Sequence, residues 1–324
     1  MKAPFYIRLM RPAVVATVLA VTIPATVLGQ LGGTPGAYSR LGFGARGAGM
    51  GNAMSAVVTG DIVGYYNPAL LPWTAQRQVS ASYGILSLDR TLNFLSFSTA
   101  LPRSAGISLG VINAGVSNID GRDGDGNPTG PLKTSEDALS LGFGNRFPGG
   151  FALGVNIKLL YYHLYTDISS TTVGIDAGAL VPVGDHLTIS ATVRDIGSKY
   201  KWDTSVLYGQ QGKTSEDQFP VLYTLGVSYL LPDTLALIAG EFEMSDQKTV
   251  IARIGVEVPL VRNIAVRGGI DRIDLKNQGN GIRPSLGFSA GKDLDGWTPA
   301  VNYAYVIEPF SPKGMHLVSV SVRF

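Results

Sequence analysis

The run Phe151-Ala152-Leu153-Gly154-Val155-Asn156-Ile157-Lys158-Leu159-Leu160-Tyr161 decides the fold. Phe151, Leu153, Val155, Ile157, Leu159 and Tyr161 share one parity, and Ala152, Gly154, Asn156 and Lys158 share the other, which is the period of a pleated strand. The second set is too small and too polar to fill the core of a β-sandwich. It suits a wall whose inner side meets water or a polar filling, so the apolar set is expected to face outward, toward lipid.

The same parity returns on either side of that segment. Val221, Tyr223, Leu225, Val227 and Tyr229 oppose Leu222, Thr224, Gly226 and Ser228. Val250, Ala252, Ile254, Val256 and Val258 oppose Arg253, Gly255 and Glu257, and His316, Val318, Val320, Val322 and Phe324 oppose Leu317, Ser319, Ser321 and Arg323. Segments of this kind fall near 77–85, 91–101, 104–116, 137–147, 150–162, 171–183, 186–196, 219–231, 234–244, 248–259, 262–272, 282–291, 298–308 and 314–324. That makes about fourteen strands, an even number, as a closed bacterial barrel requires. Residues 76–324 then allow about 18 positions per strand, a tilted span of ~10 plus its connections. Tight connections at Pro102-Arg103, Pro148-Gly149, 182–185, Pro232-Asp233 and 259–262 fall on one side, and the long stretches 117–136 and 197–218 fall on the other. Short periplasmic turns and long external loops are the asymmetry of such a barrel. Phe324, a terminal aromatic, is read as its insertion signal.

Composition agrees with a wall set in lipid. Only 15% of residues are charged, against a usual ~25%, and the mean hydropathy is +0.19 in a chain with 41 glycines. Residues Met1–Gly29 read as a secretory signal: Lys2, Arg8 and Arg11 form a basic start, Pro12 to Ile23 an uncharged apolar run, and Val27-Leu28-Gly29 a small-residue cleavage site. That run is shorter than the roughly 20 residues of a membrane helix. Without the signal the chain holds 23 basic and 24 acidic residues, a net charge of −1, which gives no electrostatic footprint for nucleic acid. There is no cysteine, and His163, His186 and His316 lie far apart, so neither disulfides nor a thiolate or histidine metal site is expected.

Residues 30–75 break the alternation. They are rich in Gly and small residues, which let a backbone pass close to a wall and adopt positive φ, as a segment packed inside a tube must. A flexible external leader is the other reading. Within this segment, residues 42–72 carry Gly-Phe-Gly-Ala-Arg-Gly-Ala-Gly-Met-Gly-Asn-Ala and then Tyr65-Tyr66-Asn67-Pro68-Ala69-Leu70-Leu71-Pro72. The pattern resembles the N-terminal signature of the FadL-like barrels, in which a Gly-Met-Gly element precedes a Trp/Tyr-x-Asn-Pro-Ala element. That superfamily includes long-chain fatty-acid transporters and the PorV/PorQ family tied to type IX secretion. The resemblance implies a fourteen-stranded barrel with a lumenal plug at 30–75 and the barrel proper at 76–324, and it singles out Gly47, Gly49, Met50, Gly51, Asn67, Pro68 and Ala69 as the plug motif. The loop Ile119 to Pro128 looks like the PorV/PorQ branch, and the 295 residues left after the signal are compact for a fatty-acid transporter.

Several tempting sites weaken on inspection. Asp123-x-Asp125-x-Asn127 begins like a calcium loop, but Pro128 stands at the EF-hand's glycine position and Thr134 where its bidentate Glu belongs. A solvated Asp/Gly turn is the stronger reading, although Glu136 or Asp137 could complete an irregular site. The Gly-x-Gly spacings of 42–51 lack a strand–turn–helix context, and no Gly-x-Ser-x-Gly or His/Asp partner accompanies the serines, so neither a nucleotide cofactor nor an enzyme is expected. Lys158, Asp176, Arg194, Arg253, Glu257, Arg267, Asp271 and Arg283 fall on the inward parity. Mixed signs there read as ion pairs holding plug to wall, with a substrate-selecting ring as the other reading. Lys-Thr-Ser-Glu-Asp occurs at 133–137 and again at 213–217, both expected at the outer rim.

The location this implies is the bacterial outer membrane, with its lipid as the first partner. Two function classes remain. A secretion accessory of PorV/PorQ type would present the loops 117–136 and 197–218, with Asp123, Asp125, Asn127, Tyr200, Trp202 and Tyr208, to exported protein or secretion machinery, because aromatics beside polar groups suit a protein-binding rim. The alternative is a passive FadL-like conduit for long-chain fatty acids or other hydrophobic small molecules, with Phe43, Met50 and Met54 near its pocket. The sequence reading prefers the first. A soluble all-β binding protein is opposed by the outward apolar faces.

Overall fold

The computed structural model describes residues 34–275 and 281–324. The signal read at Met1–Gly29, and the first residues of the plug segment at 30–33, lie outside the described residues. Sixteen strands follow: β1 (Gln78–Ile85), β2 (Arg90–Leu101), β3 (Ala105–Arg122), β4 (Pro128–Arg146), β5 (Ala152–Tyr165), β6 (Ile168–Val183), β7 (Leu187–Ile196), β8 (Lys199–Asp203), β9 (Thr214–Gln218), β10 (Leu222–Leu230), β11 (Leu237–Ser245), β12 (Val250–Val261), β13 (Ile264–Asp274), β14 (Arg283–Gly291), β15 (Thr298–Val306) and β16 (Met315–Arg323). Fourteen of them form one closed antiparallel barrel, in which β7 pairs directly with β10 and β1 closes on β16. β8 and β9 form a separate two-stranded hairpin. Among the described residues no helix is long and apolar enough to cross a membrane.

Strand alternation sets the two faces. Phe151, Leu153, Val155, Ile157, Leu159 and Tyr161 are all exposed, and Ala152, Asn156 and Lys158 between them are buried. The segments at 221–229 and 316–324 behave in the same way, with Thr224, Ser228, Ser319 and Ser321 buried behind exposed Tyr223, Val227, Val318 and Val320. Val258 departs from its parity and is buried. Register is continuous around most of the wall, as in Val155↔Phe143 and Val155↔Ala177. Bulges interrupt it at Asp195 (φ 64°) and Arg272 (φ 59°), beside the register shifts of β6–β7 and β12–β13. A bulge re-aims a side chain. At Asp195 it turns inward a carboxylate that strict alternation after Arg194 would send to lipid.

Two sequence expectations need correction. The stretch 117–136 is not a loop: β3 and β4 run on as a paired hairpin with a tip at 123–127. The stretch 197–218 likewise contains β8 and β9, so Thr214 to Asp217 of the second Lys-Thr-Ser-Glu-Asp copy lie in a strand of the hairpin and the first copy lies within β4. Beyond the lipid both faces meet water, so pairing there needs no alternation, and the period-2 signal is missing from a segment that is still a strand.

Residues 34–75 contain no strand. From Gly36, which packs against Phe219 at the end bearing the long connections (the loop end), they pass down the barrel interior to Pro68–Trp73 and enter β1 at the opposite, turn end. A short helix at Gly44–Gly49 packs on β13 to β16, and the 3-10 turn Pro68–Trp73 packs on β2 to β6. Backbone-to-backbone approach fixes the middle: a Cβ on Gly255 would sit 2.2 Å from the carbonyl oxygen of Met50, and one on Gly269 would sit 2.2 Å from the amide nitrogen of Gly51. No side chain fits at either wall position.

Candidate functional site: the barrel interior

The interior is chemically divided. On the side of β10 to β14, charged groups converge. Arg253 reaches Glu241 (3.3 Å), Glu243 (3.0 Å) and Asp271 (2.8 Å), Asp271 also meets Arg283 (3.2 Å), and Arg283 pairs with Glu308. Arg194 meets Glu243 at 3.3 Å and lies over the ring of Tyr65. On the adjoining wall Lys158 joins Asp176 (2.6 Å) and Asp195. All are buried except Arg194 and Glu308, which are half-buried, and buried charges persist only when paired and hydrogen-bonded.

Residues 34–75 plug into this network through named bonds. The Arg46 guanidinium donates from both Nε and Nη2 to Glu257 (2.9 Å each), and Arg267 donates to the same carboxylate. Asn52 donates to Asp271 (3.2 Å), the Ser55 amide donates to Glu241 (2.7 Å), and the Ala45 amide donates to Ser319 Oγ (2.7 Å). Asn67 is fully buried; its Nδ2 donates to the carbonyls of Ser55 (2.9 Å) and Ala179 (3.3 Å), while its Oδ1 accepts from the Ala69 amide (2.9 Å) and caps the turn that begins at Pro68. Gly47 leaves room for the Tyr66 hydroxyl, Gly49 lies beside Gly287 and Ala304, and Met50 is fully buried.

On the side of β16 and β2 to β6 the inner wall is apolar toward the loop end. Leu92, Phe94, Ile112, Ala138, Leu160, Met315 and Leu317 form one buried cluster with Tyr38, Phe43, Tyr66, Tyr200, Trp202 and Phe219. Phe43 stacks between Phe94 (4.7 Å between centroids) and Tyr65 (5.3 Å). Its flanking glycines, Gly42 (φ +106°) and Gly44 (φ +71°), both need the left-handed region, and Tyr66 Oη accepts from the Phe43 amide at 2.8 Å. Among the described residues the interior holds a cavity of about 20 Å³ beside Arg40, Tyr65 and Arg253 and another of about 30 Å³ beside Phe43, Met54 and Val63, each sized for a water molecule or two.

All eight inward charges expected from the sequence lie in the interior, and they pair as described. Their partners Arg46, Asp195, Glu241, Glu243 and Glu308 escaped the sequence reading. Glu241 and Glu243 sit two apart on β11 and carried a usable signal, whereas Asp195 depends on a bulge. The rim residues divide. Asp123, Asp125 and Asn127 form the exposed β3–β4 tip, where Asp123 Oδ1 accepts from the amides of Asp125 (3.0 Å) and Asn127 (2.8 Å). The bonds from Asn127 hold the Asp123 carboxyl below its usual range. Tyr208 is exposed, but Tyr200 and Trp202, expected on a protein-binding rim, are turned inward and buried. The Tyr200 hydroxyl donates to Glu136 (2.6 Å), and burial pushes its titration well above the usual range. Phe324 stacks on Trp297 at 5.4 Å and donates its amide to the Arg77 carbonyl. Among the described residues no three His, Cys, Asp or Glu side chains converge as a metal site needs.

Solved structures share this architecture. The barrel matches the toluene transporter TodX of Pseudomonas putida (TM-score 0.58, 12% identity, 87% of this chain and 96% of that one). The fold is FadL-like. It also matches the monoaromatic hydrocarbon channel CymD (0.64, 12%, 88% and 98%) and a FadL homologue of Pseudomonas aeruginosa (0.60, 11%, 87% and 98%). No protein-family model matches the chain, and no curated protein sequence matches it. Likeness at this identity carries the fold and leaves the PorV/PorQ branch resting on the sequence.

Proposed function

We propose that this chain is an exported outer-membrane barrel that takes up a hydrophobic small molecule, with residues 34–75 as a lumenal plug. The observation that carries the reading is the apolar, aromatic side of the interior, where Phe43 of the plug is packed against Phe94 in one cluster with Leu92 and Ile112 of β2 and β3. Rings and aliphatic side chains together form a surface that an apolar molecule can pack against. The shared fold supports it, because neighbours matched over nearly their whole length are described as a toluene transporter and a monoaromatic hydrocarbon channel. The charges of the opposite side serve as the clamp that seats the plug, and the signal read at Met1–Gly29 together with the outward apolar face of the wall supports export to the outer membrane.

The PorV/PorQ reading keeps the hairpin at Asp120 to Pro128 in its favour. It loses the aromatic rim, since Tyr200 and Trp202 face the interior. The test is uptake by cells with and without the gene, using labelled toluene and a labelled long-chain fatty acid, beside a measurement of surface-protein secretion. Loss of uptake with normal secretion is expected; normal uptake with lost secretion would establish the accessory role instead.

A further inference from the structure

The β8–β9 hairpin hangs from the rim on two short stems. One stem holds Asp195 (φ 64°) and Gly197 (φ 70°), and the other is Phe219-Pro220, with the Phe219 amide donating to the Ser198 carbonyl at 3.0 Å. The hairpin's inner side is aromatic and buried, while Lys201, Asp203 and all of β9 are exposed. The inner rings lie on Tyr162 of β5: Tyr200 at 4.9 Å and Trp202 at 5.2 Å, with Phe219 at 4.9 Å from Tyr200. Polar latches reinforce the seat. Besides the bond from Tyr200 to Glu136, the Lys201 amide donates to Ser170 Oγ at 2.8 Å.

One contact joins this hairpin to the plug. The ring of Phe219 occupies the space a Cβ on Gly36 would need, with its nearest atom only 2.1 Å from that position, and Gly36 itself has φ +69°. Tyr38, two residues on, is buried in the same aromatic cluster. The first residues of the plug thus sit directly under the hairpin's inner face.

We infer that residues 197–220 form a lid over the loop end of the interior and that Phe219 on Gly36 is its interlock, so that the lid lifts only when residues 34–43 withdraw. The inference stands whatever the barrel carries.

The chain has no cysteine, so a single Ala138→Cys, one inward rung below Glu136 on β4, reports the opening through its reaction with a membrane-impermeant maleimide. Reaction should be slow in the otherwise unchanged protein and at least about tenfold faster once residues 199–218 are replaced by a short Gly-Ser link. Gly36→Ala should accelerate it comparably, because the closed state then needs both an overpacked contact and a left-handed alanine. Phe219→Ala removes the key without straining the backbone and should match it, and heat-dependent gel migration verifies the barrel in each variant. An unchanged rate after lid removal overturns the lid. A fast rate after lid removal with unchanged rates in both Gly36→Ala and Phe219→Ala overturns the interlock.

Discussion

Glu257 lies between two guanidiniums, Arg46 of residues 34–75 and Arg267 of the wall, and its removal leaves both without their carboxylate, holding only neutral acceptors such as the Thr59 carbonyl and Ser289 Oγ. Breaking a buried pair from one side costs about 3–5 kcal/mol, so Glu257→Gln should lower the unfolding midpoint of the detergent-solubilised barrel markedly. The exposed pair Arg122–Asp120 (2.7 Å) is the control, and Asp120→Ala should leave the midpoint unchanged because solvent screens that bond. Equal effects from the two variants would remove the argument for a clamp. At the hairpin tip, hydrogen bonds from Asn127 and Asp125 depress the folded pKa of Asp123. A depressed carboxylate contributes its order above the unfolded value of about 3.9 and loses it as pH falls through the folded one. Amide exchange at Asp125 and Asn127 should therefore stay protected at neutral pH and lose protection only in strong acid; loss near pH 6 would refute the Asx turn. Residue-level signals were legible where parity alone decides them, as for Lys158 and Arg253. Asp195 was not, because its inward aim comes from a bulge that no alternation predicts.

Strand register is the element-scale claim with the most at stake, because a slip of one residue exchanges every lipid-facing side chain with a lumenal one. Spin labels at Val155, Val227 and Val320 should be quenched by apolar oxygen, whereas labels at Asn156, Ser228 and Ser319 should not. Inverted accessibilities would overturn the register. The barrel strands were readable because lipid on one side and a polar interior on the other force period 2 along their whole length. Outside the lipid that constraint lapses, which is why Ser117 to Glu136 looked like a loop although β3 and β4 pair through most of it. β8 did carry a period-2 signal, Tyr200 and Trp202 alternating with Lys199, Lys201 and Asp203, but its five residues are too few to distinguish from loop aromatics.

At the scale of the molecule, the wall and residues 34–75 differ in how much each depends on the other. The wall closes its own backbone pairing from β1 to β16, and many of its inward charges have partners within the wall, as in Arg253–Glu243, Arg267–Glu257 and Arg283–Asp271. Residues 34–75 have no sheet of their own; their hold comes from bonds such as Arg46 to Glu257, Ser55 to Glu241 and the Ser228 hydroxyl to the Ala56 carbonyl at 2.7 Å. Deleting residues 34–75 behind an intact export signal should therefore leave a barrel that still inserts and still shifts on unheated gels, though with a lower unfolding midpoint, because wall groups such as Glu241 lose one bond and keep another. The space vacated runs the length of the tube. With its remaining side chains largely small or polar over Ser82, Ser190, Thr192, Ser285 and Ser319, that space should fill with water and conduct ions. Planar-bilayer recordings should show near silence for the full chain and steady open-state current for the deletion. A deletion that inserts yet stays silent would mean that the wall, rather than residues 34–75, closes the lumen.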